Sequence, residues 1–204
     1  MHREGRRMEY KNRLKGKRNK ASGELFERAC DTLFGWLRAR HFAHIQKTPE
    51  PLRVCGRTQK PGLFVATFTK QAQPDYQGTM RGGHSVVLEA KFTECERLEH
   101  SRITPMQAAE LDAHEEMGAV VAVLVCFNFE KYGLVPWQHW KRLPELVKRK
   151  SLKKTDLMGH GWLLDNTTPQ RLVDGMEMNL WALMLEQKER SLQHGSDSEI
   201  HELQ

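Results

Sequence analysis

The sequence predicts a mixed α/β sheet with helices packed on it, and three observations support this fold class. Segments with helical and strand periodicity follow one another in the order helix, strands, helix, strand, strand, helix. Ala119–Phe127 is apolar on both faces, as expected of a central strand. A chain of 204 residues with 39% hydrophobic residues is long enough to bury a core as one domain.

The amino-terminal segment carries charge but no apolar stripe. Nine of the residues in Met1–Lys20 are Lys or Arg, so we expect a flexible basic arm over 1–20. A folded domain over 21–192 and a polar tail over 193–204 complete the predicted organisation. Ser22 is the expected N-cap of a first helix that ends near Arg40. Its predicted apolar stripe comprises Leu25, Phe26, Ala29, Cys30, Leu33 and Leu37.

Extended segments are predicted next. The prolines of "KTPEP" favour extended backbone because a residue that precedes proline avoids helical geometry. Leu63–Thr69 alternates and contains β-formers, which predicts a strand before a polar turn at Lys70–Pro74. Ser85–Phe92 is the next predicted strand, with Val86 and Leu88 on one face and Val87 and Glu89 on the other.

The second half has clear boundary signals. Thr104, Pro105 and Gln107 form a predicted capping box for a helix that runs to Met117, where Gly118 ends it. The central strand Ala119–Phe127 follows, and "YGLVPW" predicts another strand. Trp137–Arg149 predicts a short basic helix, interrupted or kinked at Pro144. Thr168 and Pro169 open the last helix, whose stripe is either core or a dimer surface: Leu172, Val173, Met176, Leu180, Leu183 and Met184.

Charge and cysteine usage bound the class of protein. The net charge of +6 hides two basic clusters, in Met1–Lys20 and Lys141–Lys154, around a mostly acidic Glu94–Glu116. Such clusters suit a polyanion such as nucleic acid, although a solvated tail also explains a single basic arm. No apolar run is long enough to span a membrane, and no secretory signal is evident. The four cysteines are widely spaced, so we expect a reduced, cytoplasmic protein.

Three charged residues near the middle of the chain predict a metal site. Glu89 and Lys91 share one face of the predicted strand Ser85–Phe92, and Asp75 lies a short turn upstream. Asp75, Glu89 and the carbonyl of Ala90 offer the oxygen ligands that Mg²⁺ prefers. Lys91 is placed to orient or deprotonate a water, as metal-assisted phosphodiester hydrolysis requires. The alternative is an exposed strand edge with a solvated charge pair.

The run from Gly23 to Trp140 resembles the RecU-type Holliday-junction resolvases of the PD-(D/E)XK nuclease superfamily. The resemblance is carried by Lys47, Pro49 and Pro51, by "DYQG" beginning at Asp75, by "EAK" beginning at Glu89, and by Gln107. It implies a restriction-endonuclease-like fold, with a nuclease domain over 21–192. It further implies a homodimer that requires Mg²⁺, or Mn²⁺ in its place, and that nicks four-way DNA junctions symmetrically.

Two departures from the family pattern concern substrate choice. Gln73-Pro74 precedes Asp75, which is closer to the general superfamily form than to the family's Thr-x-Asp. Family members also carry a protruding stalk before this aspartate, and the corresponding span here is Arg53–Lys70. The sequence leaves open whether that span protrudes.

Several further residues have two interpretations each. The resemblance suggests that Glu27 completes the metal site, but a solvated helix carboxylate is equally compatible. Gln107 is either only the capping residue or also a neighbour of the catalytic groups. Thr93 is either a phosphate contact or an exposed strand hydroxyl. The predicted DNA-binding residues are Lys17, Arg18, Lys20, Lys47, Arg53, Arg57, Lys60, Lys70 and Thr93.

Three functions fit these observations. The first is a junction-resolving endonuclease that acts on branched DNA as a homodimer, in the cytoplasm of a bacterial or phage-infected cell and associated with the nucleoid. The second is an endonuclease or exonuclease of the same superfamily that acts on linear duplex DNA. The third is a non-catalytic DNA-binding module on the same scaffold.

Overall fold

The structure is a computed structural model that describes the backbone of residues 2–69 and 73–201, and side chains between residues 18 and 190 except those of 19 and 70–72. Its helices are α1 (His2–Ala39), α2 (Pro105–Glu116), α3 (Trp137–Lys141), α4 (Leu143–Leu146), α5 (Lys154–Gly159) and α6 (Pro169–His201). Its strands are β1 (Ala43–Lys47), β2 (Leu52–Arg57), β3 (Phe64–Phe68), β4 (Tyr76–Met80), β5 (His84–Thr93), β6 (Arg97–Glu99), β7 (Val120–Phe127), β8 (Lys131–Pro136), β9 (Ser151–Lys153) and β10 (Leu163–Leu164). A 3₁₀ helix spans His100–Arg102.

Six strands form one mixed sheet in the order β1-β4-β5-β7-β8-β10. Strands β5 and β7 are parallel, and the other neighbouring pairs are antiparallel. All eight residues of β7 are buried, which confirms its predicted central position. The predicted fold class, a mixed sheet flanked by helices, is therefore confirmed.

The sheet separates two hydrophobic cores. Val86 and Leu88 of β5 face the core formed with α1 and α6, whereas Val87 faces the core formed with α2 to α5. This is the alternation predicted for a strand with both faces covered. The predicted stripe of α6 is core: Val173, Met176, Leu180, Leu183 and Met184 are buried.

The predicted start of the first helix is wrong. Helix α1 begins at His2 rather than after Ser22, whose hydroxyl donates a hydrogen bond to Glu94 Oε1 at 2.8 Å. Leu25 is also misassigned to the stripe, since it is 56% exposed and Phe34 packs in the core. Helix α6 continues to His201, past the predicted start of the tail. The flexible arm over 1–20, the domain limits 21–192 and the polar tail over 193–204 remain predictions.

Strands β2 and β3 form a two-stranded hairpin separate from the main sheet. Their register runs from Leu52 opposite Phe68 to Arg57 opposite Phe64, with an irregularity between Val54 and Gly56. No side chain of either strand is buried, and both pair only with each other within the part of the chain that the structure describes. The span that the sequence left undecided is thus an exposed hairpin, with Lys70 outside the described residues.

Individual residues in the sequence mark the boundaries of helices α2, α3 and α4. Thr104 and Gln107 form the predicted capping box of α2, and Gly118, with a φ of +85°, follows the helix. The helix predicted at Trp137–Arg149 is interrupted, but the break lies at Arg142 rather than at Pro144, which stands in the first turn of α4, and α4 ends at Leu146. No described helix is long and apolar enough to cross a membrane.

Candidate active site

Strand β5 outruns β4, and the difference opens an edge of the sheet. Pairing between the two strands ends at Tyr76 opposite Leu88, whereas β5 remains paired with β7 as far as Thr93. Asp75 lies immediately before β4, and its Oδ2 accepts a hydrogen bond from the Ala90 N–H at 2.8 Å. The side chain of Asp75 thus accepts the hydrogen bond that the backbone of a neighbouring strand would otherwise accept. This contact brings Asp75 beside Glu89-Ala90-Lys91, which the sequence placed fourteen or more positions away.

Glu89 is the buried carboxylate of this site, with no exposed surface. Its Oε1 accepts hydrogen bonds from Lys91 Nζ and Gln107 Nε2, while Oε2 has no hydrogen-bond partner among the described residues. The pKa of Glu89 is raised to about 7, mainly by burial and also by the negative charge of Asp75, with Lys91 opposing the shift. A buried carboxylate with one free oxygen is costly without a partner.

Gln107 both caps α2 and contacts Glu89. Its Oε1 accepts a hydrogen bond from the Thr104 N–H at 3.1 Å, which completes the capping box. Its Nε2 donates to Glu89 Oε1. Because the cap engages the oxygen of the amide, the amide nitrogen is directed at Glu89. The start of α2 therefore fixes one oxygen of Glu89 and leaves the other free.

Glu27 reaches the same cleft from α1 but is engaged elsewhere. Lys47 Nζ, at the end of β1, lies 2.6 Å from Glu27 Oε2, and the hydrogen bond raises the pKa of Lys47. The Tyr76 hydroxyl donates to the Glu27 carbonyl oxygen at 3.3 Å, which ties this turn of α1 to β4. The structure thus brings Glu27 near the site while pairing its carboxylate with Lys47 rather than with Asp75 or Glu89.

A cleft of about 470 Å³ lies over these groups. One wall comes from α1 and β1, and the other from the end of β5, the turn after it and the 3₁₀ helix. Its lining residues are Gly23, Phe26, Glu27, Lys47, Asp75, Tyr76, Ala90, Lys91, Phe92, Thr93, Glu94, Cys95 and Arg102. We call it the catalytic cleft. Sequence reasoning missed Arg102, which carries no periodic or motif signal in its segment.

The described residues among the predicted DNA-binding set lie in two places, Lys47 and Thr93 at the catalytic cleft and the basic residues of the hairpin apart from them in the chain. Arg18 pairs with Glu94 at 3.2 Å beside the catalytic cleft, and Lys20 is exposed on α1. Thr93 lines the cleft, but its hydroxyl accepts from the Cys95 N–H and donates to the Arg97 carbonyl in a local turn. Arg53, Arg57 and Lys60 are exposed on the hairpin and its connection, whereas the Lys17 side chain and Lys70 lie outside the described residues.

The donor groups at the site fit a hard cation. No cluster of three His, Cys, Asp or Glu side chains suited to a metal occurs among the residues that the structure describes. The candidate set consists instead of the free Oε2 of Glu89, the carboxylate of Asp75 and the carbonyl of Ala90 at the open strand edge. Oxygen-only donors of this kind suit Mg²⁺ or Mn²⁺, which complete their coordination with water.

A family model described as Recombination protein U matches residues 21–175, which includes every predicted catalytic residue from Glu27 to Gln107. Among solved structures, the 1.6 Å structure of Hjc, a Holliday junction resolvase from the archaeal hyperthermophile Archaeoglobus fulgidus, is similar with a TM-score of 0.38. That similarity has 14% sequence identity and covers 57% of this chain and 74% of Hjc. The search of curated proteins returned no significant match.

Proposed function

The chain belongs to the RecU family, described as Recombination protein U, and on this premise we propose that it is a metal-dependent endonuclease that resolves four-way DNA junctions. The observation that carries the proposal is the buried Glu89, which has one oxygen without a hydrogen-bond partner among the described residues and lies next to two residues that line the cleft, Asp75 and Lys91. A carboxylate pair and an ammonium group at one strand edge are the parts that phosphodiester hydrolysis requires.

Asp75, Glu89 and the Ala90 carbonyl would hold the divalent cation, Mg²⁺ or Mn²⁺. When bound, that cation supplies a water of lowered pKa and polarises the phosphate. The protein's own part is to hold the donors in place. Gln107 and Lys91 hold Glu89 Oε1, and the Ala90 N–H holds Asp75 Oδ2, while Glu89 Oε2 has no hydrogen-bond partner among the described residues and would serve as a ligand.

Lys91 has a second role in the proposed reaction. Its ammonium group contacts Glu89 and lines the catalytic cleft, where its charge offsets that of a phosphate and its N–H groups orient a water. Lys47 holds Glu27 on the opposite wall of the cleft. We place Glu27 as a positioning residue whose carboxylate is kept in the cleft by this pair.

Junction selectivity is part of the proposal, and the hairpin supports it. Symmetrical nicking of a four-way junction requires two active sites, so we propose a homodimer acting on branched DNA. The hairpin corresponds to the stalk of the family and exposes the basic residues Arg53 and Arg57 together with Phe64 and Phe68. Guanidinium groups suit phosphates, and exposed aromatic rings suit unstacked bases. We propose that the protein acts on DNA in the cytoplasm of a bacterial or phage-infected cell.

The test compares three substrates at matched salt: a four-way junction, a linear duplex and a flap. We expect paired nicks in the junction with Mg²⁺, and their loss in Asp75→Ala and Lys91→Ala. Preferential cleavage of the linear duplex would show the related duplex nuclease instead. Tight binding without metal-dependent cleavage would show a binding module. Nicking that survives both substitutions would place the catalytic groups elsewhere.

A further inference from the structure

A second cleft adjoins the catalytic cleft. It has a volume of about 500 Å³ and is lined by Thr93, Cys95, Glu96, Arg97, Leu98, Glu99 and Arg102. Thr93, Cys95 and Arg102 line both clefts, so the two form one continuous path along the surface. We call the second one the outer cleft. Its lining includes all three residues of β6, the strand that pairs with β9 in a two-stranded ribbon.

The ribbon places two cations directly opposite each other. Leu98 and Leu152 pair across it and are both buried, so the neighbouring pair, Arg97 and Lys153, lies on the outer face. Like charges at directly opposite positions destabilise a ribbon. Neither side chain forms an ion pair in the described part of the chain. Among the described residues, no ion pair therefore offsets the repulsion between these two side chains.

Arg102 continues this positive track towards the catalytic cleft. It is exposed, and no hydrogen bond or ion pair of its guanidinium occurs among the described residues. Two of the three carboxylates nearby already have ion-pair partners. Glu96 is bound to Lys154 at 2.9 Å and Glu94 to Arg18, which leaves Glu99 as the acidic residue of the outer cleft without an ion pair among the residues described.

We propose that the outer cleft binds the sugar-phosphate backbone of the duplex arm next to the nicked bond. Arg102 contacts the phosphate nearest the active site, and Arg97 and Lys153 contact phosphates further along the arm. A polyanion removes the repulsion between Arg97 and Lys153, and guanidinium groups suit phosphate oxygens in pairs. The contacts are to the backbone, so they add affinity without sequence preference. This inference rests on the DNA substrate of the proposed function.

Binding in EDTA tests the inference separately from cleavage. Fluorescence anisotropy with a labelled four-way junction and with a linear duplex gives affinity at several salt concentrations. Each lost phosphate contact lowers the slope of log K against log salt by about 0.9, so Arg97→Gln/Lys153→Gln should lower it by about 2 and Arg102→Gln by about 1. Between 50 and 200 mM salt, the double variant should then lose about tenfold less affinity than the unmodified protein.

Two further variants make the result decisive. Arg38→Gln/Lys188→Gln removes the same charge from exposed residues that line neither cleft, and we expect a slope close to that of the unmodified protein. Glu99→Gln removes the unpaired carboxylate of the outer cleft and should tighten binding by up to a few fold. This second variant decides the question if the double variant fails to fold.

An unchanged slope in a folded Arg97→Gln/Lys153→Gln protein would overturn the inference, as would an equal loss of slope in the control. Unchanged binding by Glu99→Gln would also count against it. Suppose that the salt slopes in EDTA change in the variants as predicted, but the unmodified protein never cleaves DNA in Mg²⁺. The proposed function then fails, while the outer cleft remains a DNA-binding site. Binding and catalysis therefore fail in distinguishable ways.

Discussion

The side chain of Gln107 links the start of α2 to the buried carboxylate of Glu89. Its oxygen accepts from the Thr104 N–H in the capping box, and its nitrogen donates to Glu89 Oε1. One residue thus couples helix capping, which stabilises the fold, to the orientation of a buried carboxylate next to the catalytic cleft. The two roles are separable because each uses a different end of the amide.

Replacing Gln107 with Glu should separate these roles. Glu at this position keeps an oxygen that caps the helix, but it removes the donor to Glu89 and adds a negative charge beside it. We expect near-normal thermal stability. The added negative charge should raise the pKa of Glu89 and keep more of this carboxyl protonated at neutral pH. Because one unit of pKa corresponds to a factor of ten, we expect at least a roughly tenfold loss of junction cleavage. Melting curves and single-turnover cleavage measure the two quantities.

Thr104→Ala is the matched control for that variant. It removes the hydroxyl that accepts from the Gln107 N–H at 3.3 Å and should cost about 1 kcal/mol of unfolding free energy. It leaves the contact between Gln107 and Glu89 in place, so cleavage by the folded fraction should change little. Equal losses of cleavage in Gln107→Glu and Thr104→Ala would show that Gln107 acts only through the helix.

Stability without divalent metal should fall as pH rises, because the folded protein binds the Glu89 proton more tightly than the unfolded chain. Burial raises the pKa of Glu89 from 4.5 to about 7, so this group lowers stability progressively between those values and fully above pH 7. With each unit worth about 1.4 kcal/mol, the full loss should be on the order of 3 kcal/mol. Melting temperatures in EDTA from pH 5 to 8 measure it.

Glu89→Gln isolates the contribution of this one group, because an amide does not titrate. The difference in unfolding free energy between the two proteins should grow with pH and level off above pH 7. A difference that stays constant from pH 5 to 8 would contradict the raised pKa of Glu89. Metal binding competes with the same proton, so cleavage by the unmodified protein should increase with pH through about 7.

The long, buried elements were predictable because burial imposes a period on the sequence. The strand predicted at Ser85–Phe92 is β5 (His84–Thr93), and the helix predicted from Thr104 is α2. The start of α1 was predicted wrongly because its first turns carry no apolar stripe. They are rich in Arg, Lys and other residues of good helix propensity, which need no core to favour a helix.

Other parts of the site depend on relationships that no single segment encodes. The contact between Asp75 and the Ala90 N–H requires β4 to end before β5 does, and this is a property of two strands together. The two-residue β10 and the ribbon of β6 and β9 are too short to show a period. Arg102 enters the catalytic cleft because the 3₁₀ helix places it there, which its charge alone does not indicate.

Lys47 and Glu27 should act as a unit in cleavage while contributing little to stability. Their side chains are 42% and 44% exposed, and ion pairs with this exposure contribute about 0–1 kcal/mol. We expect Lys47→Met and Glu27→Gln each to reduce junction cleavage with small changes in melting temperature. The double variant should be no worse than the more severe single variant, since both lose the same interaction. Fully additive losses in single-turnover rate would mean that the two residues contribute separately.

Gly78 should be the most sensitive glycine for folding, because the neighbouring strand β1 approaches it very closely. A Cβ atom at this position would lie 2.0 Å from the His44 carbonyl oxygen and 2.6 Å from Ile45 Cα, both of them backbone atoms. Gly78→Ala should therefore lower the unfolding free energy by about 1–3 kcal/mol or more. Gly35→Ala is the matched control, since nothing lies within 4 Å of its added Cβ in α1 and helix propensity favours Ala by about 1 kcal/mol. Urea denaturation should show opposite shifts for the two variants, and a Gly78→Ala protein as stable as the parent would contradict the close approach of β1 to β4.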